Sequence, residues 1–212
     1  MEKKTIIILS LISAVLSFFY MIFDYYGCFR YVAIQMFPVE RYFNNYKNIE
    51  KINNHRVVIS IQSKCNLNSK TIKSLLDQTV AVDFISITLP KSNTYELPEN
   101  LSKCGIALFK CSKDNGKLNC LISAVLREGE TTTKIITLKN NIIYEKDFIE
   151  RLLEESEKNT DSIIYINPKS NNIKLGKGVV FSTKFFNKDF VDNVKNEKEL
   201  NEYLKDIPKK KI

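Results

Sequence analysis

From Thr5 to Phe23 the chain runs uncharged for 19 residues, and beyond Asn54 the apolar residues fall into short blocks separated by amphipathic stretches. These are two different patterns. A helix over 5–23 would extend about 28 Å, near the thickness of bilayer hydrocarbon. Lys3 and Lys4 precede it, Asp24 follows, and Tyr20, Tyr25 and Tyr26 sit where an interfacial aromatic belt would lie. A cleavable signal peptide shares the basic start and apolar middle, but the run is long and no small-x-small site follows closely. The pattern therefore predicts a single-pass anchor. The expected layout is a short tail at 1–4, the anchor at 5–23, a juxtamembrane stem at 24–54 and a domain at 55–212. The stem is rich in aromatics and interrupted by Pro38, which breaks any continuous helix.

The later blocks alternate in type. Arg56–Ile61, Phe84–Leu89, Gly105–Phe109 and Ile135–Leu138 read as buried strands, as do Ser162–Ile166 and Gly178–Ser182, the last two joined by a polar turn around Asn171-Asn172. Between them, helical spacing predicts helices at about Ser69–Asp77, with Ile72, Leu75 and Leu76 inward, and Leu118–Leu126, with Leu118, Leu121, Ile122 and Val125 inward. Further helices are expected at about Lys146–Lys158 and Glu197–Leu204. Strands alternating with helices imply an α/β fold, a mainly parallel sheet flanked by helices, preceded by one transmembrane helix. In such sheets ligands bind at the carboxyl ends of strands, where loop amides and helix N-termini converge. The stretch from Ile135 through Lys139, Asn140 and Asn141 into Asp147 is one such strand, turn and helix opening.

Composition narrows the chemistry. The 212 residues are 44% hydrophobic and 26% charged, ordinary for a globular domain; the net charge of +8 would suit anionic ligands, although a lysine-rich composition is the plainer reading. Lysine is spread along the whole chain, and no basic cluster is interleaved with aromatics, so nucleic acid is not an expected partner. There is no glycine-rich phosphate loop. Five cysteines, Cys28, Cys65, Cys104, Cys111 and Cys120, show no CxxC and no zinc spacing, and the single histidine, His55, lacks relay partners. Unpaired thiols are expected.

The succession VVISI, TIKSLLDQT, FISITLP, YELP, KDNGKLNCLISAVL, TTTKIITLKNNIIYEKDFIERLLE and GVVFSTKFF resembles small glycosyltransferases of the GT-A type. These are nucleotide-sugar enzymes of the glycosyltransferase-2-like family found in microbes and large viruses. The resemblance runs from about Arg56 to the C-terminus. It rests on Ser74-Leu75-Leu76-Asp77-Gln78 after the first strand, Pro90 after the second, Asp114 and Gly116 after the third, and Ile142-Ile143-Tyr144 with Asp147-Phe148 after the fourth.

The resemblance implies a nucleotide-sugar donor, a glycan acceptor, and a divalent metal held by an Asp-x-Asp-like turn that neutralises the leaving diphosphate. That turn maps onto Lys139, Asn140 and Asn141, where no carboxylate remains, so the metal site is expected to be lost. Cys120 stands where the family carries a basic residue, and Glu197 is the one survivor of the acidic pair that supplies a base. Asp114 would meet a ribose or base, although a turn Asp capping the next helix is the plainer role. Three functions follow from these residues. One is a degenerate domain that still binds a nucleotide-sugar. The second is a metal-independent transferase, with Lys139 beside the diphosphate and Glu197 as base. The third is a membrane-tethered interaction protein without a ligand.

The flanking charges place the N-terminus in the cytoplasm and the domain in a lumen or outside. The sequon Asn100-Leu101-Ser102 would then be open to glycosylation. The C-terminal Lys209-Lys210-Lys211-Ile212, which resembles a dilysine signal, points the other way, since such signals act on cytosolic tails. The flanking charges carry more weight, because a basic tail end arises easily by chance.

Overall fold

The computed structural model describes residues 3–51, 55–63, 67–111, 115–128, 132–166, 173–187 and 189–212. The chain divides into two compact units, Met1–Pro38 and Val39–Ile212. In the first, helix α1 (Lys3–Tyr25) contains a segment, Thr5–Tyr25, long and apolar enough to cross a membrane, none of it buried within the protein. A signal sequence near the N-terminus has the same length and composition. Gly27, at φ 64°, turns the chain into helix α2 (Cys28–Met36). Pro38 follows it, and the helix ends at Met36 as expected of a segment leading into proline.

The second unit begins before the apolar blocks of the sheet. Helix α3 (Val39–Tyr46) buries Tyr42, Phe43 and Tyr46, three aromatics on one helical face. The Tyr46 hydroxyl donates to Val82 O at 3.1 Å and accepts from Val82 N at 2.9 Å, and burial pushes its phenol up to about 12. Residues 39–46, expected as stem, thus pack with the domain.

Strand β1 (Val57–Gln62) leads through helix α4 (Ser69–Leu76) to β2 (Phe84–Pro90), and the one-turn helix α5 (Glu99–Ser102) precedes β3 (Ile106–Cys111). Helix α6 (Leu118–Arg127), strand β4 (Lys134–Lys139) and helix α7 (Phe148–Lys158) follow, then β5 (Ile163–Tyr165) and β6 (Lys177–Ser182). The chain closes with helices α8 (Phe190–Asn193) and α9 (Glu197–Tyr203) and strand β7 (Lys209–Lys211). The seven strands form one sheet in the order β3-β2-β1-β4-β6-β5-β7. Parallel pairing links β1 to β2 and β4, β2 to β3, and β5 to β7, while β6 runs antiparallel to both β4 and β5. The proposed turn at Asn171-Asn172 lies outside the described residues.

Chain direction explains how the helices are distributed. The path moves outward from β1 to β3, then jumps back over β1 to β4. Right-handed crossovers travelling in opposite directions put α4 and α6 on opposite faces. On the α6 face, Leu118, Leu121 and Ala124 pack in one core with Ile135, Phe181, Phe190, Val194, Leu200 and Leu204, which brings in α8 and α9. α7, next to α4 in space, buries Ile149, Leu152 and Leu153. Gln78 ties the two together, donating to Ser74 O and Glu145 O and accepting from Ile149 N.

Strand β7 is the element the apolar pattern could not show, because it consists of Lys209, Lys210 and Lys211. Among the described residues it pairs with β5 alone, and lysines on an edge strand discourage pairing with another chain. The residues resembling a retrieval signal are therefore part of the sheet. The sequon asparagine is also engaged in the fold, since Asn100 Nδ2 donates to Glu40 Oε1 at 3.0 Å.

Candidate functional site

The reversal of strand order falls between β1 and β4, so their carboxyl ends form the crevice where open α/β sheets place ligands. Gln62 at the end of β1 is in register with Lys139 at the end of β4. The turn expected to carry the chemistry, Lys139-Asn140-Asn141, therefore does lie at the switch point.

The side chains of its two asparagines are committed to the protein itself. Asn140 is buried; its Oδ1 accepts from Asn68 N at 3.1 Å and its Nδ2 donates to Ser63 Oγ at 2.9 Å. Asn141 adopts a left-handed conformation at φ 75°, which asparagine tolerates better than most residues. Its Oδ1 accepts from Asn68 Nδ2 at 3.0 Å, while the N–H groups of Asn141 and Ile142 both donate to Thr71 Oγ1. Tyr144 closes the turn from below: its hydroxyl accepts from Lys139 N at 2.8 Å and donates to Lys139 O at 2.9 Å. Burial pushes that phenol well above its ordinary range. Asn68 also caps α4 by accepting from Lys70 N, so one asparagine joins the helix start to the turn.

This donor set does not fit a divalent cation. Hard cations need charged oxygens, whereas here the two amide oxygens already accept hydrogen bonds and the neighbouring side chain, Lys139, is an exposed cation. Among the described residues no group of three or more His, Cys, Asp or Glu side chains could hold a metal. Asp114 lies outside the described residues.

Glu197 lies across a loop from this turn. The N-cap Asn196 starts α9 by accepting from the N–H groups of Lys198 and Glu199, and Glu197 follows in the first turn. Its Oε1 accepts from Leu175 N at 3.0 Å and sits 4.0 Å from Lys117 Nζ. Gly176, the next residue, passes close to the Lys139 backbone and donates to Thr137 Oγ1 at 3.5 Å. One loop thus borders Lys139 on one side and Glu197 on the other. Cys120, where the resemblance places a basic residue, is buried. Its thiol donates to Lys117 O and is pushed up to about 12 by that burial. The basic residue at the end of α6, Arg127, is turned away into structure: it stacks over Phe109 at 3.5 Å and donates to Ser86 Oγ.

Sequence reading missed Gln62. Its Oε1 is buried and, among the described residues, has no hydrogen-bond partner, although it stands at the switch point beside Lys139. It also missed the polar staple from Ser63, Asn68, Thr71 and Ser74. The signal was there: Thr71 and Ser74 lie three apart next to the apolar face of α4 and are fully buried. None of Cys28, Cys104, Cys111 and Cys120 is disulfide-bonded, and Cys65 lies outside the described residues. An open cavity of about 550 Å³ lies apart from the turn, between the end of β3, the outer side of α6 and Val191–Lys195.

The sheet order and the crevice are those of a GT-A-like α/β fold. No protein-family model matches the chain, and no curated protein sequence does. Solved structures do match it. One is the crystal structure of 4-diphosphocytidyl-2C-methyl-D-erythritol synthase, with a TM-score of 0.54 over 75% of this chain and 89% of that one. At 11% identity the likeness extends to the fold and no further.

Proposed function

We propose that the chain is a membrane-tethered, degenerate GT-A-like domain that binds a nucleotide-sugar or nucleoside diphosphate without a divalent metal. The observation that carries this reading is the end of β4, where the Asn140 and Asn141 amides are bonded to Asn68 and Ser63 beside an exposed Lys139. A lysine there supplies a point charge for a diphosphate, and Gln62 offers a buried acceptor for a nucleobase N–H or a ribose hydroxyl. Asp114 is a further ligand contact on this reading. The tether is α1 as a single-pass anchor, and the flanking lysines favour a cytoplasmic N-terminus with the domain in a lumen or outside, facing a glycan acceptor.

A second reading, a metal-independent transferase, is favoured by one arrangement: Lys139 and Glu197 border the same loop. Lys139 would neutralise the departing diphosphate. Glu197, whose carboxylate is about one-third exposed, would take the acceptor proton.

Thermal-shift titration of the full chain in detergent, with UDP, GDP, CDP and their sugar conjugates, tests the first reading. Stabilisation by at least one of them, weakened in Lys139→Ala, is the expected result. No stabilisation by any would leave an interaction protein without a ligand. Sugar transfer or hydrolysis that persists in chelator and disappears in Glu197→Gln would establish the second reading instead.

A further inference from the structure

Helix α2 begins three residues after α1 ends, and it does not continue outward. The ring of Phe29 lies 5.1 Å from that of Tyr20 and 5.9 Å from that of Phe23. Tyr20 and Phe23 stand five and two residues before the end of α1, which is about 8 and 3 Å back along its axis. The first turn of α2 therefore lies beside the last turns of α1.

The exposed face of α2 matches that position. Phe29, Val32 and Met36 follow the i, i+3, i+7 spacing of a single helical stripe and are 45%, 50% and 76% exposed. Ile34, on another side of the helix, is fully buried. Tyr25 and Tyr26, at the junction, are exposed at 85% and 73%. In water this would be a contiguous apolar patch on a helix whose one charged residue is Arg30. At a membrane surface it is the face that an in-plane amphipathic helix buries below the headgroups.

We propose that α2 is an in-plane interfacial helix that seats Phe29, Val32 and Met36 at the headgroup–acyl boundary of the bilayer crossed by α1. The proposal rests on reading α1 as a membrane span. Its partner is lipid rather than another protein because Phe29 touches residues of the span itself. The anchor then has two membrane contacts, one crossing and one lying flat, which together fix the direction in which the chain leaves the bilayer toward Pro38.

The chain contains no tryptophan, so a single introduced one reports its own surroundings. The full chain is reconstituted in phosphatidylcholine vesicles brominated either near the headgroup or deep in the acyl chain. Val32→Trp and Met36→Trp are expected to emit at blue-shifted wavelengths and to lose emission mainly to shallow bromines. Phe18→Trp, within α1, should lose emission mainly to deep bromines, and Gln35→Trp should be quenched by aqueous iodide instead. Quenching at position 18 without quenching at 32 and 36 would overturn the α2 proposal alone. Absence of quenching at all three would overturn the membrane span and the α2 proposal with it. Blue-shifted but unquenched emission at 32 and 36 means a protein-covered face and also overturns it. Photolabelling the unaltered chain with a carbene-generating lipid gives the same decision without a substitution, since label must appear in the peptide containing 28–37.

Discussion

At the carboxyl end of β4 the side-chain amides of Asn140 and Asn141 are bonded into the protein. One strand across, at the end of β1, Gln62 keeps a buried carbonyl oxygen with no partner among the described residues. The two positions sit side by side at the switch point of one sheet. Rigidity is therefore concentrated at the β4 turn, and an open acceptor at the β1 end. The β4 turn is a structural staple, and the β1 end carries an acceptor that no described residue uses. A buried polar group without a partner costs stability, and a ligand that bonds to it would remove that cost.

The comparison breaks most visibly under Asn140→Ala. It removes the acceptor of Asn68 N and the donor to Ser63, so a loss of about 2 kcal/mol is expected from urea midpoints. Tyr144→Phe deletes the hydroxyl that bridges both backbone groups of Lys139, with an expected loss of about 1–2 kcal/mol by the same measurement. Neither effect should depend on pH, since no titrating group is involved in the staple between 4 and 8.

The opposite end of β1 behaves differently. Asp83 accepts from Val57 N at 2.8 Å and pairs with Lys51 at 2.6 Å. Burial alone would raise its pKa, but the bonds from Lys51 and Val57 N, with the charges of Lys51 and Arg56, outweigh it and hold the carboxyl below its usual value. A depressed carboxyl contributes stability above its unfolded pKa of about 3.9, and that contribution is lost as pH falls through the folded value. Midpoints measured from pH 6 to 3 should thus fall less for Asp83→Asn than for the parent. The smallest effect is expected at Gln62→Met, which removes the unpartnered acceptor at similar volume. Stability should stay within about 0.5 kcal/mol of the parent or rise, while nucleotide affinity falls. A large loss of stability there would mean that Gln62 is a structural group like Asn140.

Much of the fold was legible because β-branched runs such as Val57–Ile61 and Ile135–Leu138 can only be buried strands when flanked by amphipathic helices. β7 was not, because an edge strand of three lysines has no apolar signature. Nor was the antiparallel direction of β6, which strand–helix alternation does not specify. α3 was hidden by the aromatic richness of the segment after the anchor, where Tyr42, Phe43 and Tyr46 look the same whether they face lipid or a core. At the site, the absence of carboxylates at 139–141 could be read directly. That the Asn140 and Asn141 amides are bonded to Asn68 and Ser63, some 70 residues earlier, is a tertiary fact that no local pattern encodes. Gln62 escaped notice because its importance lies in a missing partner, which only three-dimensional packing reveals.

On the proposed function, the crevice between β1 and β4 takes a nucleoside diphosphate without a metal. Calorimetric titration of the full chain in detergent, with the nucleotide that gives the largest thermal shift, tests it directly. Run once with manganese and once with chelator, it should return the same affinity in both, and a weaker one for Lys139→Ala in both. Binding seen only with manganese, or unaffected by Lys139→Ala, would contradict the account.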